Sequence, residues 1–457
     1  MGRKDPVVKN KPVINMDNIN TQPPNTAESN LRQTRGLFWF RYDLRLHDHA
    51  ALAAMTRLVD EMTLVYILDE SWFCPNAYGV QSMGEHRYQF LMESLSDLHN
   101  ALTSVGHELV VITGNVAEVL VELLTENSFS HLGVSHYGGF NEVKEVDVIQ
   151  QYFPAVTMVT GNTCSLYSPA TLPFDVNDTP DVFSPFRRKI EKHGVNIPAS
   201  DDVTHWPLSF APRMNKSRTM TLSAPPQLDD ECTETFTGGE RAALAHLHRY
   251  LFDWKGASTY KETRNSLDNW RDSTKLSPWL AIGALSPKTV MRQLFAFEEK
   301  HVKNDSTYWI YFELLWREFF FWLQQKHGSK WFAYSGIHGK QPNTSHDPQA
   351  FLSWCNGTTG YPIVDACMRQ LAKTGFLSNR GRQIVASCFV HELRQDWRYG
   401  AAWFEHKLID FDVGSNWGNW LYLAGVGSDP RGHRQFNLLK QTEAYDPNGE
   451  FCNKWLS

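Results

Sequence analysis

Paired cysteines, long apolar runs and a surplus of basic residues are all missing from this chain, and each absence removes a class of protein. The seven cysteines (Cys74, Cys164, Cys232, Cys355, Cys367, Cys388 and Cys452) show no C-x-x-C spacing. That argues against a disulfide framework and a structural metal site, and it suits a reducing compartment such as the cytoplasm. No run of eighteen apolar residues occurs, so no helical membrane span is expected. With a formal net charge of −6, any nucleic-acid contact has to be a local patch rather than a basic coat. No G-x-G-x-x-G follows the first apolar run, which argues against a dinucleotide site at that point.

At 457 residues the chain is long enough for two domains. Of its 16 tryptophans, 13 lie from Trp254 onward, so the two halves differ in character. Residues 1–35 are polar, without apolar periodicity, and read as a disordered leader. They lack the apolar core of a secretory signal, and their acidic residues and scarce arginines weaken an organelle-targeting reading without removing it. Residues 36–160 alternate short apolar runs (LFWF, TLVYIL, LVVIT, LGVSH, VTMVT) with helical stretches. This pattern predicts an α/β domain with a doubly wound parallel sheet, whose ligands sit beyond the carboxyl ends of the strands. Residues 161–238, with several prolines and one helical piece (PDVFSPFRRKIEKH), read as an interdomain linker. Residues 239–457 read as all-α, with Ser277-Pro278, Ser286-Pro287 and Asp347-Pro348 as helix starts.

The densest stretch runs from Phe376 to Gly427. It places Arg380, Arg382, Asp410, Asp412 and Asn416 among Trp397, Trp403, Trp417 and Trp420. Charges enclosed by apolar segments must be paired and hydrogen-bonded, so these residues form either a structural ion network or the lining of a polar ligand site. The segment STYWIYFELLWREFFFWLQQKHG is apolar on nearly every face and predicts a buried helix. Glu313, Trp316 and Arg317 share one face of it, as an intrahelical ion pair or as part of a site. Ser273, Thr274, Lys275, Leu276 and Ser277 precede a helix start and offer hydroxyls, an amine and free N–H groups to a phosphate; ordinary capping is the plainer reading.

The segments NRGRQ, DWRYGA, DFDVGSNWGNW and YLAGVGSDPR resemble the flavin-binding segments of the photolyase/cryptochrome family, and Gln383 and Tyr422 resemble its DASH branch. The resemblance covers nearly all of the chain after residue 36. It implies an all-α C-terminal domain that binds FAD and a light-driven role on DNA. By this resemblance Tyr260 and residues 273–277 hold the cofactor's phosphate region, and Arg317 belongs to the same site. Arg382 and Asp410 pair across the flavin, Asp412 lies near its N1/C2 edge, and Asn416 faces N5. Arg380 lies at the adjacent lesion or phosphate region. Glu313, Trp316, Asn379, Gln383 and Tyr422 fall at substrate-contact positions. Relatives that repair (6-4) lesions carry histidines at the places of Asn379 and Gln383, so that activity is not expected.

In the α/β part, Arg41-Tyr42-Asp43-Leu44-Arg45 resembles the family's W-F-R-x-D-L-R opening. Without the resemblance, Arg41 and Arg45 would be read as solvated loop charges. Glu142 matches the carboxylate that holds a folate antenna, 5,10-methenyltetrahydrofolate, with Arg41, Tyr42 and Arg434 as weaker matches; otherwise Glu142 is an ordinary first-turn acid. Trp420 and Trp397 match the first two members of the family's tryptophan electron chain. The third position falls at Thr344, so Trp354 or a nearby tyrosine is expected to replace it, with Trp354 as the expected exposed donor. Asn416, and an ending at Trp455-Leu456-Ser457 without a long extension, favour repair of cyclobutane pyrimidine dimers over signalling. Tyr422 offers less stacking area than tryptophan, so single-stranded DNA is the expected preference. A monomer without membrane attachment is the expected form.

Overall fold

The first apolar run forms β1 (Arg35–Phe40), and its side chains divide by parity. Phe38 and Phe40 enter one apolar cluster with Leu64, Tyr66 and Leu68, whereas Leu37 and Trp39 enter a second with Val65 and Ile67. Successive strand residues face opposite ways, so two cores mean a sheet covered on both faces. The computed structural model describes residues 33–224, 234–429 and 434–457, so most of the expected leader lies outside the described residues.

The other strands of this sheet are β2 (Glu61–Asp69), β3 (Leu109–Gly114), β4 (His131–Ser135) and β5 (Thr157–Gly161). They pair in parallel in the order β5-β4-β1-β2-β3. Strand order reverses direction at β1, so the switch-point crevice opens between the carboxyl ends of β1 and β4. Two short strands extend the sheet from within the expected linker. β6 (Leu208–Ser209) pairs parallel with β2, and β7 (Thr219–Met220) pairs antiparallel with β3. Two-residue strands carry no alternation to read, and their pairing becomes visible only beside an existing edge.

The helical part surrounds one large core threaded by the Asp305–His327 helix. Asn304 and Thr307 form a reciprocal capping box at its start. One flank is fully enclosed (Leu315, Phe319, Leu323), while Trp309, Phe312, Glu313, Trp316 and Arg317 border a cavity. Ser286 and Asp347 cap the helices that follow them. Ser277 does not: the helix there runs only Ser277–Ala281, its cap position is Leu276, and the Ser277 hydroxyl is committed elsewhere. The helical piece of the linker, Phe183–His193, inserts Phe183, Phe186 and Ile190 into the helical core.

Candidate functional site

The helical part encloses a cavity of about 550 Å³. An ion pair lines it: Arg382 donates to Asp410 Oδ2 at 2.7 Å, and the Ser277 hydroxyl donates to the same oxygen at 2.6 Å. Arg382 also donates from Nε to the Leu377 carbonyl at 2.7 Å, which fixes its plane. The second carboxylate oxygen, Asp410 Oδ1, is buried without a protein partner. A buried, orphaned acceptor beside a guanidinium at the cavity wall suits a heteroaromatic edge bearing N–H and C=O groups.

Asp412 and Asn416 stand in the first turns of the Val413–Leu423 helix. Asp412 caps it, accepting from Ser415 N at 2.7 Å, and takes a second bond from the Tyr137 hydroxyl at 3.1 Å. The Asn416 amide nitrogen donates to the Ala401 carbonyl at 3.0 Å, so its oxygen is left as an acceptor. Arg317 is held by the carbonyls of Cys164 and Leu280. Burial works against its charge, and the carboxylates of Asp412 and Glu318 more than offset that, so its pKa is raised.

Tyr260, Ser273, Thr274, Lys275, Leu276 and Ser277 line the same cavity. Lys275 is buried with left-handed backbone (φ 53°), and its ammonium lies 4.9 Å over the Phe376 ring. Desolvation pulls its pKa down to about 8. Glu313 pairs with Arg264, a residue that no motif or spacing singles out. Trp316 is already stacked on Phe183 (3.7 Å, 8°) and meets Tyr422 edge-on at 5.9 Å. Asn379 and Gln383 also border the cavity.

Two residues sit elsewhere than expected. Arg380 is not among the lining residues; it bonds Asn265 and lies 4.6 Å over the Tyr445 ring. Adjacent positions on a helix point about a quarter-turn or more apart, and on this one Asn379, Arg382, Gln383 and Ala386 share the face toward the cavity. Arg434 belongs to this cavity rather than to the Glu142 region: it pairs with Asp429 and covers the Tyr422 ring at 4.6 Å.

Trp420 lines the cavity, and Trp397 starts the helix packed against it. Trp354 is not an exposed donor. It is 0% exposed, donates to the Val385 carbonyl, and meets Trp420 edge-on at 6.1 Å. The Thr344 position is occupied from the side by half-buried Tyr334, whose hydroxyl bonds the Thr344 hydroxyl at 2.9 Å. The Trp397 indole donates to the Tyr334 carbonyl at 3.1 Å.

Two family models match: "DNA photolyase" over residues 36–203 and "FAD binding domain of DNA photolyase" over residues 309–457. A protein of Idiomarina loihiensis named Cryptochrome DASH is 47% identical over 92% of this chain and 92% of its own length. The chain belongs to the photolyase/cryptochrome family, in its DASH branch. The crystal structure of the Synechocystis cryptochrome superposes with a TM-score of 0.84 at 39% identity, covering 93% of this chain and 88% of that one. A class III photolyase from Agrobacterium tumefaciens gives 0.75 at 27% identity, covering 94% and 88%. The helical half is therefore the family's FAD-binding domain.

In the α/β half of this DASH-type chain, Arg41 and Arg45 are both buried. Arg45 is spent on four carbonyls, those of His47, Asp48, Thr163 and Gly283. Arg41 donates to the carbonyls of Glu142 and Ser135, and Tyr42 donates to Glu142 Oε1 at 3.1 Å. Glu142 Oε2 is buried without a partner, and burial followed by nearby Glu145 raises its pKa. Sequence reasoning missed Tyr137 and Glu405. Tyr137 stacks on Tyr42 (4.3 Å, 19°), and Glu405 is held near pH 7, by burial first, with Glu142 adding to it. A tyrosine two residues beyond a strand carries no pattern of its own; only its position beyond the carboxyl end of β4 marks it.

Proposed function

We propose that this chain is a light-driven DNA repair enzyme, a carbon–carbon lyase of the deoxyribodipyrimidine photo-lyase type. Its substrate is a cyclobutane pyrimidine dimer, preferentially in single-stranded DNA. The observation that carries this reading is one cavity lined both by the Arg382–Asp410 pair and by Glu313, Trp316, Asn379, Gln383 and Tyr422. Arg382, Asp410, Lys275 and Asn416 would hold FAD there, and the reduced cofactor under blue light would supply the one-electron chemistry that ring opening of the dimer requires. The chain's own residues orient and select. Asn416, fixed as an acceptor by Ala401, offers an uncharged oxygen where a carboxylate would oppose negative charge on the cofactor. Glu313 and Asn379 hydrogen-bond the pyrimidine edges, and Trp316 and Tyr422 provide apolar faces for the extruded bases.

The cluster of Arg41, Tyr42 and Glu142 is the proposed site for 5,10-methenyltetrahydrofolate, with the unpartnered Glu142 Oε2 as its acceptor for a pterin N–H. Arg434, which lines the helical cavity beside Tyr422, we assign to the DNA-facing residues instead. We read the protein as a cytoplasmic monomer. A second reading, a blue-light photoreceptor with weak or no repair, draws on the cryptochrome names of its relatives. The deciding experiment illuminates the reduced holoprotein with the same dimer in single strands, loops and duplex. Repair fastest on single strands is expected. Equal rates would remove the strand preference, and no repair on any would leave the photoreceptor reading.

A further inference from the structure

In a doubly wound sheet the switch-point crevice ordinarily opens toward a ligand. Here part of it is filled by two stacked tyrosines, Tyr42 beyond β1 and Tyr137 beyond β4, with ring centroids 4.3 Å apart. Tyr42 is tied to Glu142 at 3.1 Å, and Tyr137 reaches out of the sheet domain to Asp412 Oδ2 at 3.1 Å. In the same loop, a Cβ at Gly138 would meet the Phe321 carbonyl of the helical part at 2.7 Å, so only a glycine lets the two halves close there, whereas a Cβ at Gly139 would run first into the Glu142 carboxylate. Asp412 is the cap of the helix that carries Asn416 and Trp420 into the cavity. Both tyrosines are held protonated by burial, helped by Glu142 for Tyr42 and by Asp412 for Tyr137. Tyr137 is therefore the donor and Asp412 the acceptor.

We propose that Tyr137 is a positioning residue through which the α/β domain fixes the orientation and charge of Asp412, with the stacked Tyr42 and its partner Glu142 holding Tyr137 in place. This rests on the reading of the cavity as the flavin site. A donor on Asp412 withdraws negative charge from the side facing the cavity; removing it leaves a more strongly charged carboxylate beside the flavin, which disfavours electron gain. The same linkage makes the Glu142 end of the crevice felt at the flavin.

The test uses the holoprotein as purified. At a fixed redox poise in the dark, Tyr137→Phe is expected to keep its flavin and to lower the reduced-to-oxidised ratio severalfold. Glu142→Gln is expected to shift that ratio less, and to shift it no further when Tyr137 is already Phe. In the unmodified protein carrying ring-labelled tyrosine, flavin reduction is expected to move a tyrosine C–O stretch, whether or not the variant folds. An unchanged ratio in Tyr137→Phe, an equal Glu142→Gln shift in both backgrounds, or a difference spectrum without a tyrosine band would each overturn the proposal. A parent protein without flavin absorbance would instead overturn the reading of the cavity itself.

Discussion

Asp410 accepts from Arg382 and Ser277 on one oxygen and keeps the other without a protein partner, so its charge is matched from one side only. Removing the carboxylate strands a guanidinium that is three-quarters enclosed. Breaking such a pair typically costs about 3–5 kcal/mol, and the partial exposure of Arg382 puts this case near the lower end. Asp410→Ala is expected to purify with little flavin, read as flavin absorbance per protein; full occupancy would reject the pairing as a cofactor contact. A second residue-scale prediction concerns electron supply to the flavin. Trp397→Phe preserves the packing and removes the oxidisable indole, so photoreduction under blue light should slow markedly. Trp354 is enclosed beside Trp420 rather than beyond Trp397, so Trp354→Phe should leave the surface end of the route working. A Trp397→Phe protein that photoreduces at the parental rate would show that electrons arrive another way.

The Val413–Leu423 helix is the element on which the site turns, because its small residues let three neighbours close on it. A Cβ at Gly414 would enter the Gln324 amide, and one at Gly418 would run into Phe320 and Trp331. Gly400, on the neighbouring Trp397–Lys407 helix, leaves room for the Trp420 ring in the same way. These are close approaches between packed helices, and overpacking of this kind typically costs about 1–3 kcal/mol. Gly418→Ala is therefore expected to lower the melting temperature and, by tilting the helix, to loosen flavin retention. An unchanged melt would mean that Phe320 and Trp331 shift aside without cost.

Between the two halves, Glu405 faces the α/β domain, where Arg87 donates to its backbone carbonyl and lies over the Phe411 ring. Burial raises the Glu405 pKa from 4.5 to about 7; Arg87 works against the shift, Glu142 adds to it, and Ser82 and Trp417 bond the side chain. The folded chain thus keeps a proton that the unfolded chain has lost. Stability from this group is present below the unfolded value, falls as pH rises from 4.5 to about 7, and is flat above. The half-buried position limits the loss to about 1–3 kcal/mol. Glu405→Gln should remove that slope, measured as the difference in melting temperature from the parent across the same range. A parallel pair of curves would refute it. Lowered carboxyl pKa values at Asp48 and Glu240 act in the opposite sense, so the difference between proteins is the quantity to read.

Strand–helix alternation through residues 36–160 determined the parallel sheet, because five apolar runs with helices between them bury both faces in few other ways. The family and its FAD-binding domain were legible too, since a cofactor so polar needs charged residues in fixed order, and NRGRQ and DFDVGSNWGNW hold them within short helical stretches. Spacing on a single helix is local geometry, which is why Asn416 and Trp420 fall to one cavity together. Tertiary structure alone decided the rest. β6 and β7 are too short to carry a period and exist because β2 and β3 offer edges. Arg434 and Arg380 could be matched to motifs but not aimed, since their partners Asp429, Tyr422, Asn265 and Tyr445 come from folding. The contact between Tyr137 and Asp412 spans 275 residues of chain, a separation at which no local rule acts and only the docking of the two halves brings donor to acceptor.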